Sequence, residues 1–195
     1  MPGLQLESAR LLIRPFVQAD LGVIHHILEE AFGWDEEVAQ EDRLAERRSW
    51  LEWAIHNEEW LAHLHQPPFG DRAVVLRENK ELIGAVGYVP LLDRFGQIPE
   101  LALTPGGSPY ATAEIGLFWA TGRQHQGRGY ATEAARTLVK YGFDQLHLAR
   151  ILAVTEYQNR ASQRVMEKVG MTITRNPYEM PAHLQIVGVL NNPKR

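Results

Sequence analysis

The chain has 195 residues, with 20 Lys+Arg against 24 Asp+Glu, a formal net charge of -4, and 45% hydrophobic residues. That balance leaves no cationic surplus to neutralise a nucleic-acid backbone, and the absence of cysteine removes disulfides, thiolate metal sites and a thiol nucleophile. The N-terminus lacks an apolar run behind a basic start and no stretch reaches bilayer length, so a cytoplasmic protein without a membrane segment is expected, as one domain over 1–195.

Leu11 to Arg14, stopped by Pro15, reads as a first strand. Asp20 offers an N-cap, after which Leu21, Ile24, Ile27, Leu28, Ala31 and Phe32 recur at helical spacing, and Gly33 is the stop. A longer helix covers roughly Asp42 to His65. Its stripe includes Leu44, Trp50, Leu51, Ala54, Ile55, Leu61 and Leu64, with Arg47 interrupting it and Asn57 marking a break. After the loop Gln66 to Asp71, segments Arg72–Arg77 and Glu81–Val89 form a β-hairpin around Glu78-Asn79-Lys80. Pro90 to Thr112 has no clean period and reads as a long irregular connection of the kind that is often functional.

Ala113 to Thr121 is the next strand, and Thr132 to Phe143 the body of the next helix. Arg150 to Thr155 is a short buried strand. A helix preceded by Asn159 and closed by Gly170 follows, with Met171–Thr174 and His183–Leu190 as the last strands. The order is β-α-α-β-β-β-α-β-α-β-β. Strand, helix and strand from Ala113 to Thr155 make a crossover unit with a locally parallel pair, while the hairpins make the sheet mixed.

The strand-to-helix join carries Gln126-Gly127-Arg128-Gly129-Tyr130-Ala131. Two glycines one residue apart let backbone N–H groups turn toward a common point. The following helix adds its unpaired first-turn N–H groups and the positive end of its dipole. Together these make a seat for a phosphate or diphosphate. The dinucleotide fingerprint is not met, because Thr132 stands where a third small residue belongs. The nucleotide P-loop, which needs Gly-Lys-Ser/Thr, is also absent.

What fits is Gln/Arg-x-x-Gly-x-Gly/Ala, filled by Gln126, Gly129 and Ala131. It resembles the acetyl-CoA loop of the GCN5-related N-acetyltransferases (GNAT). Glu114-Ile115-Gly116, Tyr130 to Ala134, Asn159 to Ser162 and Val165 to Gly170 resemble the RimJ/RimL-like branch of that family. The resemblance implies an α/β (mixed α+β) fold. Its twisted sheet is mostly antiparallel, splays in a V between central parallel strands, and is flanked by about four helices.

The resemblance also implies roles. Main-chain groups near Trp119 and Thr121 would pair with the pantetheine arm like an added strand. Backbone N–H groups from Gly127 through Arg128, Gly129 and Tyr130 to Ala131 would hold the diphosphate. Asn159 would hydrogen-bond the arm, and Ser162 would lie near the sulfur or the phosphates. Arg123 and Arg128 are either outer phosphate contacts or surface charges. The chemistry is attack of an amine on a thioester. Glu114, at the strand start, is the candidate proton acceptor or else a structural carboxylate; a general base typically contributes ~10²–10⁴-fold. A backbone N–H near Trp119 is a candidate oxyanion donor. Many members carry a tyrosine general acid where Met166 stands here, so the leaving thiolate would be protonated by Ser162, Tyr157 or solvent. Met171 replaces the usual phenylalanine after glycine.

No metal is expected, because the histidines show no His-Glu-x-x-His or similar spacing. His25, His26, His63 and His65 read as partly exposed helix residues, and His125 as a brace for the loop. Trp50 reads as core; Trp53 and Trp60 divide between core and the wall of an acceptor pocket. No Gly-x-Ser-x-Gly elbow supports a hydrolase. The reading is an acetyl-CoA-dependent N-acetyltransferase acting on a primary amine, a protein N-terminus or a small molecule, with a homodimer compatible. The rivals are a non-catalytic acetyl-CoA sensor, favoured by Met166, and another phosphate-binding α/β protein.

Overall fold

The computed structural model describes residues 4–98, 101–102, 108 and 110–194. They divide into two compact units, one comprising the chain up to Tyr88 with Phe118–Leu138, the other Val89–Leu117 with Val139 onward. The strands β1 (Leu6–Glu7), β2 (Leu11–Arg14), β3 (Gly70–Leu76), β4 (Leu82–Asp93), β5 (Thr112–Thr121), β6 (Arg150–Thr155), β7 (Thr172–Arg175) and β8 (Ile186–Asn191) are hydrogen-bonded in the order β1-β2-β3-β4-β5-β6-β8-β7 in one eight-stranded sheet. Every described register is antiparallel except that between β5 and β6. With four helices among the described residues, this is the mixed α/β class expected.

In the first unit, β1 (Leu6–Glu7), β2 (Leu11–Arg14), β3 (Gly70–Leu76) and β4 (Leu82–Asp93) pair in succession. β1 is a two-residue edge strand that no period in the sequence announces. Helix α1 (Leu21–Phe32) forms because Ile24, Ile27 and Leu28 repeat on one face and are buried there. Gly33 ends it at φ 77°, donating its N–H to the Glu29 carbonyl at 2.8 Å, a conformation that glycine adopts without strain. The Asp20 side chain does not cap this helix. It accepts two N–H bonds from Arg14 at 2.8 and 2.9 Å and one from the Val17 amide at 2.9 Å, so an ion pair takes the oxygens that a cap would use.

Helix α2 (Gln40–His63) runs unbroken through Asn57. The Asn57 amide donates to the Phe69 carbonyl at 3.1 Å; its side chain serves the following loop and does not compete with the helix backbone. Leu51 and Ala54 join Phe16, Ile24, Ile27, Leu28, Ala73, Val75, Ala85 and Ala120 in one buried cluster. Complete burial of Leu51 contributes about 1.5–3 kcal/mol. Trp50 packs edge-on against Phe16, centroids 5.4 Å apart. Trp53 and Trp60 are exposed, at 55% and 62%, and take no part in that core.

In the second unit, the end of β4 runs to Asp93, four residues beyond the expected hairpin strand. Much of the connection that follows lies outside the described residues. The parallel pair joins β5 (Thr112–Thr121) to β6 (Arg150–Thr155) with Gly116 opposite Leu152, as the crossover through α3 (Tyr130–Asp144) requires. Helix α4 (Arg160–Val169), β7 (Thr172–Arg175) and β8 (Ile186–Asn191) complete it, with β8 between β6 and β7. The β8 strand starts at Ile186 and not at His183, because Ala182–Leu184 form a 3-10 turn. Met166 is fully buried: a Cβ added to Gly188 of β8 would lie 3.0 Å from its sulfur and 2.9 Å from that of Met171.

Candidate functional site

The end of β5, the glycine loop and the start of α3 all belong to the first unit. After β5 the chain makes a 3-10 turn at Arg123–His125. It then takes positive φ at Gly127 (74°) and Gly129 (82°) before α3 begins at Tyr130. A Cβ on Gly127 would meet nothing within 4 Å, and one on Gly129 only Arg10 Nη2 at 3.6 Å. The glycines are therefore required by the left-handed backbone, not by crowding within the chain. Gly129 O accepts the Glu133 N–H at 3.0 Å as the first helical bond, so the amides of the first turn have no partners within the helix. Gln126, Gly127, Arg128 and Gly129 are all exposed.

The loop is braced from several sides. Gln126 Nε2 donates to the Thr121 carbonyl at 3.0 Å, joining two residues singled out from the sequence and occupying one main-chain group of β5. The Gly122 and Arg123 amides donate to Ile83 O and Glu30 Oε2, each at 2.9 Å. His125 is buried and sits 3.0 Å from Glu81 Oε1, the bracing expected of it.

A further brace comes from a distant turn of the chain. Arg10 Nη1 donates to the Arg128 carbonyl at 3.1 Å, and its guanidinium lies 4.4 Å over the Tyr130 ring. The Arg10 amide and Nε bond Glu133 at 2.8 and 2.6 Å, and Ser8 Oγ donates to the same carboxylate at 2.7 Å. Burial pushes the Glu133 carboxyl up, but the Ser8 and Arg10 donors outweigh it and hold it below its ordinary range. The sequence signal was an acid in the first helical turn; its partners lie more than a hundred residues away.

In the second unit, Arg150 donates Nε to Glu114 Oε2 at 2.8 Å and Nη2 to the other oxygen. Glu114, the candidate base, thus forms a two-pronged bridge from β5 to β6, and the hydrogen bond raises the Arg150 pKa. Asn159 and Ser162 meet at the start of α4, where Asn159 Oδ1 accepts the Ser162 amide at 3.0 Å as an N-cap. The Asn159 amide nitrogen is not part of that bond. Tyr157 donates its hydroxyl to Asn176 O at 2.6 Å and stacks under Arg175. Among the described residues no group of three or more His, Asp or Glu side chains is arranged to hold a metal, and no helix is long and apolar enough to cross a membrane.

Residues 10–172 match the acetyltransferase (GNAT) domain. The chain belongs to the GNAT acetyltransferase family. It is 31% identical over 166 residues to the N-acetyltransferase YoaA of Bacillus subtilis (strain 168), itself uncharacterized, covering 85% of this chain and 81% of YoaA. Against two other Bacillus subtilis relatives it spans only 52% and 59% of their length. The GNAT acetyltransferase from Bacillus anthracis shares the fold at TM-score 0.64 and 22% identity, over 97% of this chain and 99% of that one. RimL, a ribosomal L7/L12 alpha-N-protein acetyltransferase solved with coenzyme A, shares it at TM-score 0.60 and 12% identity, over 95% and 96% of the two chains.

Proposed function

We propose that this GNAT chain transfers the acetyl group of acetyl-CoA to a primary amine, a protein N-terminus or a small molecule. The observation that carries the reading is the braced, exposed glycine loop ahead of α3, whose two left-handed glycines and open first-turn amides suit a diphosphate. Family membership and the coenzyme A held by RimL support it.

Acetyl-CoA supplies the activated acyl group. Amides from Gly127 to Ala131 hold the diphosphate, with Arg123 and Arg128 as exposed charges beside it. Main-chain groups near Trp119 would align the arm, and Asn159 and Ser162 are the candidates for polar contacts to it. The amine nitrogen forms a bond to the acyl carbon, the carbon–sulfur bond breaks, and the thiolate leaves with a proton from Ser162 or water. The amine's own proton passes to Glu114, directly or through water; each carboxylate oxygen has lone pairs beyond those Arg150 uses.

The sensor reading is favoured by one feature: residue 166, where many relatives carry a tyrosine acid, is a methionine, which has no proton to give. Calorimetry with coenzyme A and acetyl-CoA, followed by thiol release with a panel of amines, separates the readings. An enzyme binds and turns over, a sensor only binds, and no uptake of either ligand refutes both.

A further inference from the structure

A second polar pocket lies wholly within the first unit, between α1 and α2. It offers about 260 Å³, slightly below the roughly 300–1,000 Å³ of common small-molecule sites, and beside Trp34 and Trp50 its charged lining sets Arg43 and Arg47 against Glu29, Asp35 and Glu46, with His25 among them. Phe32, at the end of α1, stacks on Phe118 of β5 with centroids 5.9 Å apart. Gly33 and Trp34 continue from there into the pocket wall, so the pocket adjoins the strand that carries Trp119.

The cations in this pocket differ. Arg43 is satisfied, donating to Glu29 at 2.6 Å and to the Val38 carbonyl. Arg47 is not: its Nε is buried without a hydrogen-bond partner, and its described contact is the Trp50 ring at 5.2 Å. Burial lowers its pKa, opposed by the charges of Glu46, Glu29 and Asp71. None of the three gives it a hydrogen bond among the described residues. Glu29 is taken by Arg43, Glu46 is exposed, and Asp71 Oδ1 is itself buried without a partner. His25, only 8% exposed, lines the same pocket with neither ring nitrogen hydrogen-bonded; Nε2 stands 3.4 Å from Glu29 Oε2. A guanidinium whose buried Nε has no hydrogen-bond partner, and an imidazole whose only described polar neighbour is Glu29 at 3.4 Å, line one pocket with two tryptophans and leave donors open to a ligand.

We infer that this pocket takes a carboxylate of the acceptor on Arg47 and His25, and that the amine acetylated is therefore one that carries a carboxylate, not a polyamine. The missing partner is planar and anionic, which a guanidinium recognises in two-pronged fashion. The tryptophans leave room for an apolar or aromatic body beside it. The inference rests on the acetyl-transfer reading for the word acceptor, and on the pocket alone for the carboxylate.

The test pairs acids with amides. L-phenylalanine, L-leucine and L-methionine are each supplied as the free acid and the carboxamide, beside spermidine. Peptides starting Ser-Glu-Asp and Ser-Gln-Asn distinguish a free amino acid from an acidic N-terminus. Thiol release from acetyl-CoA gives kcat and KM, and quenching of tryptophan fluorescence gives binding without the cofactor. Acids are expected to show KM about 10–100-fold below their neutral partners. Arg47→Met erases that difference through KM, Arg47→Lys restores part of it, and coenzyme A affinity stays unchanged. Equal KM for acid and amide, preference for spermidine, or an unaltered Arg47→Met enzyme overturns the inference. Should Arg47→Met fail to fold, His25→Gln and the wild-type comparison still decide it. Saturable quenching by acids alone, lost in Arg47→Met, without turnover of any amine, supports the pocket while refuting acetyl transfer. No saturable response to any acid in either assay overturns the pocket.

Discussion

Arg10 and Glu133 meet through two hydrogen bonds, amide to Oε1 at 2.8 Å and Nε to Oε2 at 2.6 Å, while Arg10 Nη1 holds the Arg128 carbonyl at 3.1 Å. The glycine loop is thereby fastened to the β1–β2 turn by one side chain. Glycine at positions 127 and 129 leaves the loop free to sample other shapes unless its neighbours hold it. Glu133→Gln keeps the shape but removes the charge from a pair that is partly exposed and so contributes about 1 kcal/mol or less. Coenzyme A affinity is expected to fall roughly three- to fivefold, by about that amount, with the thermal midpoint little changed. Calorimetry checks it; full affinity in the variant shows that the brace does not shape the seat.

Gly129→Trp tests the seat itself. The site tolerates no ordinary side chain at φ 82°, and strain of about 1–3 kcal/mol accompanies any replacement. An indole there must also displace Arg10, whose Nη2 lies 3.6 Å from the position of its Cβ and whose Nη1 braces the loop. Coenzyme A uptake should vanish in calorimetry while circular dichroism shows a folded chain. Binding at the wild-type level would place the cofactor elsewhere.

The elements that local spacing specifies were legible. Ile24, Ile27 and Leu28 define α1, Gly33 and Gly170 close their helices, and the Ala113–Thr155 crossover fixes the parallel pair. The glycine loop was legible because positive φ selects a residue type. Long-range partners were not. Nothing near Arg10 in the chain indicates Glu133, and nothing near Glu114 indicates Arg150, because each pair exists only once distant strands have docked. The placement of β8 between β6 and β7 likewise follows from register, not from period. His25 reads as a partly exposed helix residue, yet it is buried, facing the pocket that α2 also lines.

Glu114 and Arg150 separate a structural role from a chemical one. Glu114→Gln leaves one acceptor oxygen for Arg150 and removes the proton-accepting carboxylate. Arg150→Gln spares the carboxylate but breaks the same bridge. If Glu114 accepts the proton, Glu114→Gln lowers kcat by ~10²-fold or more with coenzyme A affinity nearly unchanged, and Arg150→Gln loses far less kcat. Equal losses in the two variants, matched by equal drops in stability, would assign Glu114 to the strand bridge alone.

Met166→Tyr asks whether the missing general acid can be restored. The side chain is wholly buried, against Gly188 and Met171, so a ring with a hydroxyl overpacks the site and costs about 1–3 kcal/mol. The expected result in urea unfolding is a lower midpoint, with no gain in turnover. A faster enzyme of unchanged stability would show that residue 166 reaches the leaving sulfur.

Asp71 gives the chain an unusual pH dependence. Burial, opposed by the charges of Arg72 and Arg47, raises its pKa to about 6 from an ordinary 3.8, and its Oδ1 lacks a hydrogen-bond partner among the described residues. The folded state therefore binds a proton more tightly than the unfolded chain does. This group's penalty is fully present above pH 6 and is relieved as the pH falls from about 6 toward 4. Its size approaches about 3 kcal/mol as an upper bound, from 1.36 kcal/mol per pH unit. Carboxylates held low, such as Glu133 and Asp144, act in the opposite sense, and for Asp144 the loss comes only toward pH 2. Asp71→Asn should thus stabilise the protein at pH 8 and remove the gain expected of wild type between pH 7 and 5, both read from urea midpoints. The same pH slope in wild type and variant would mean that Asp71 stays ionised, compensated by Arg47 and Arg72.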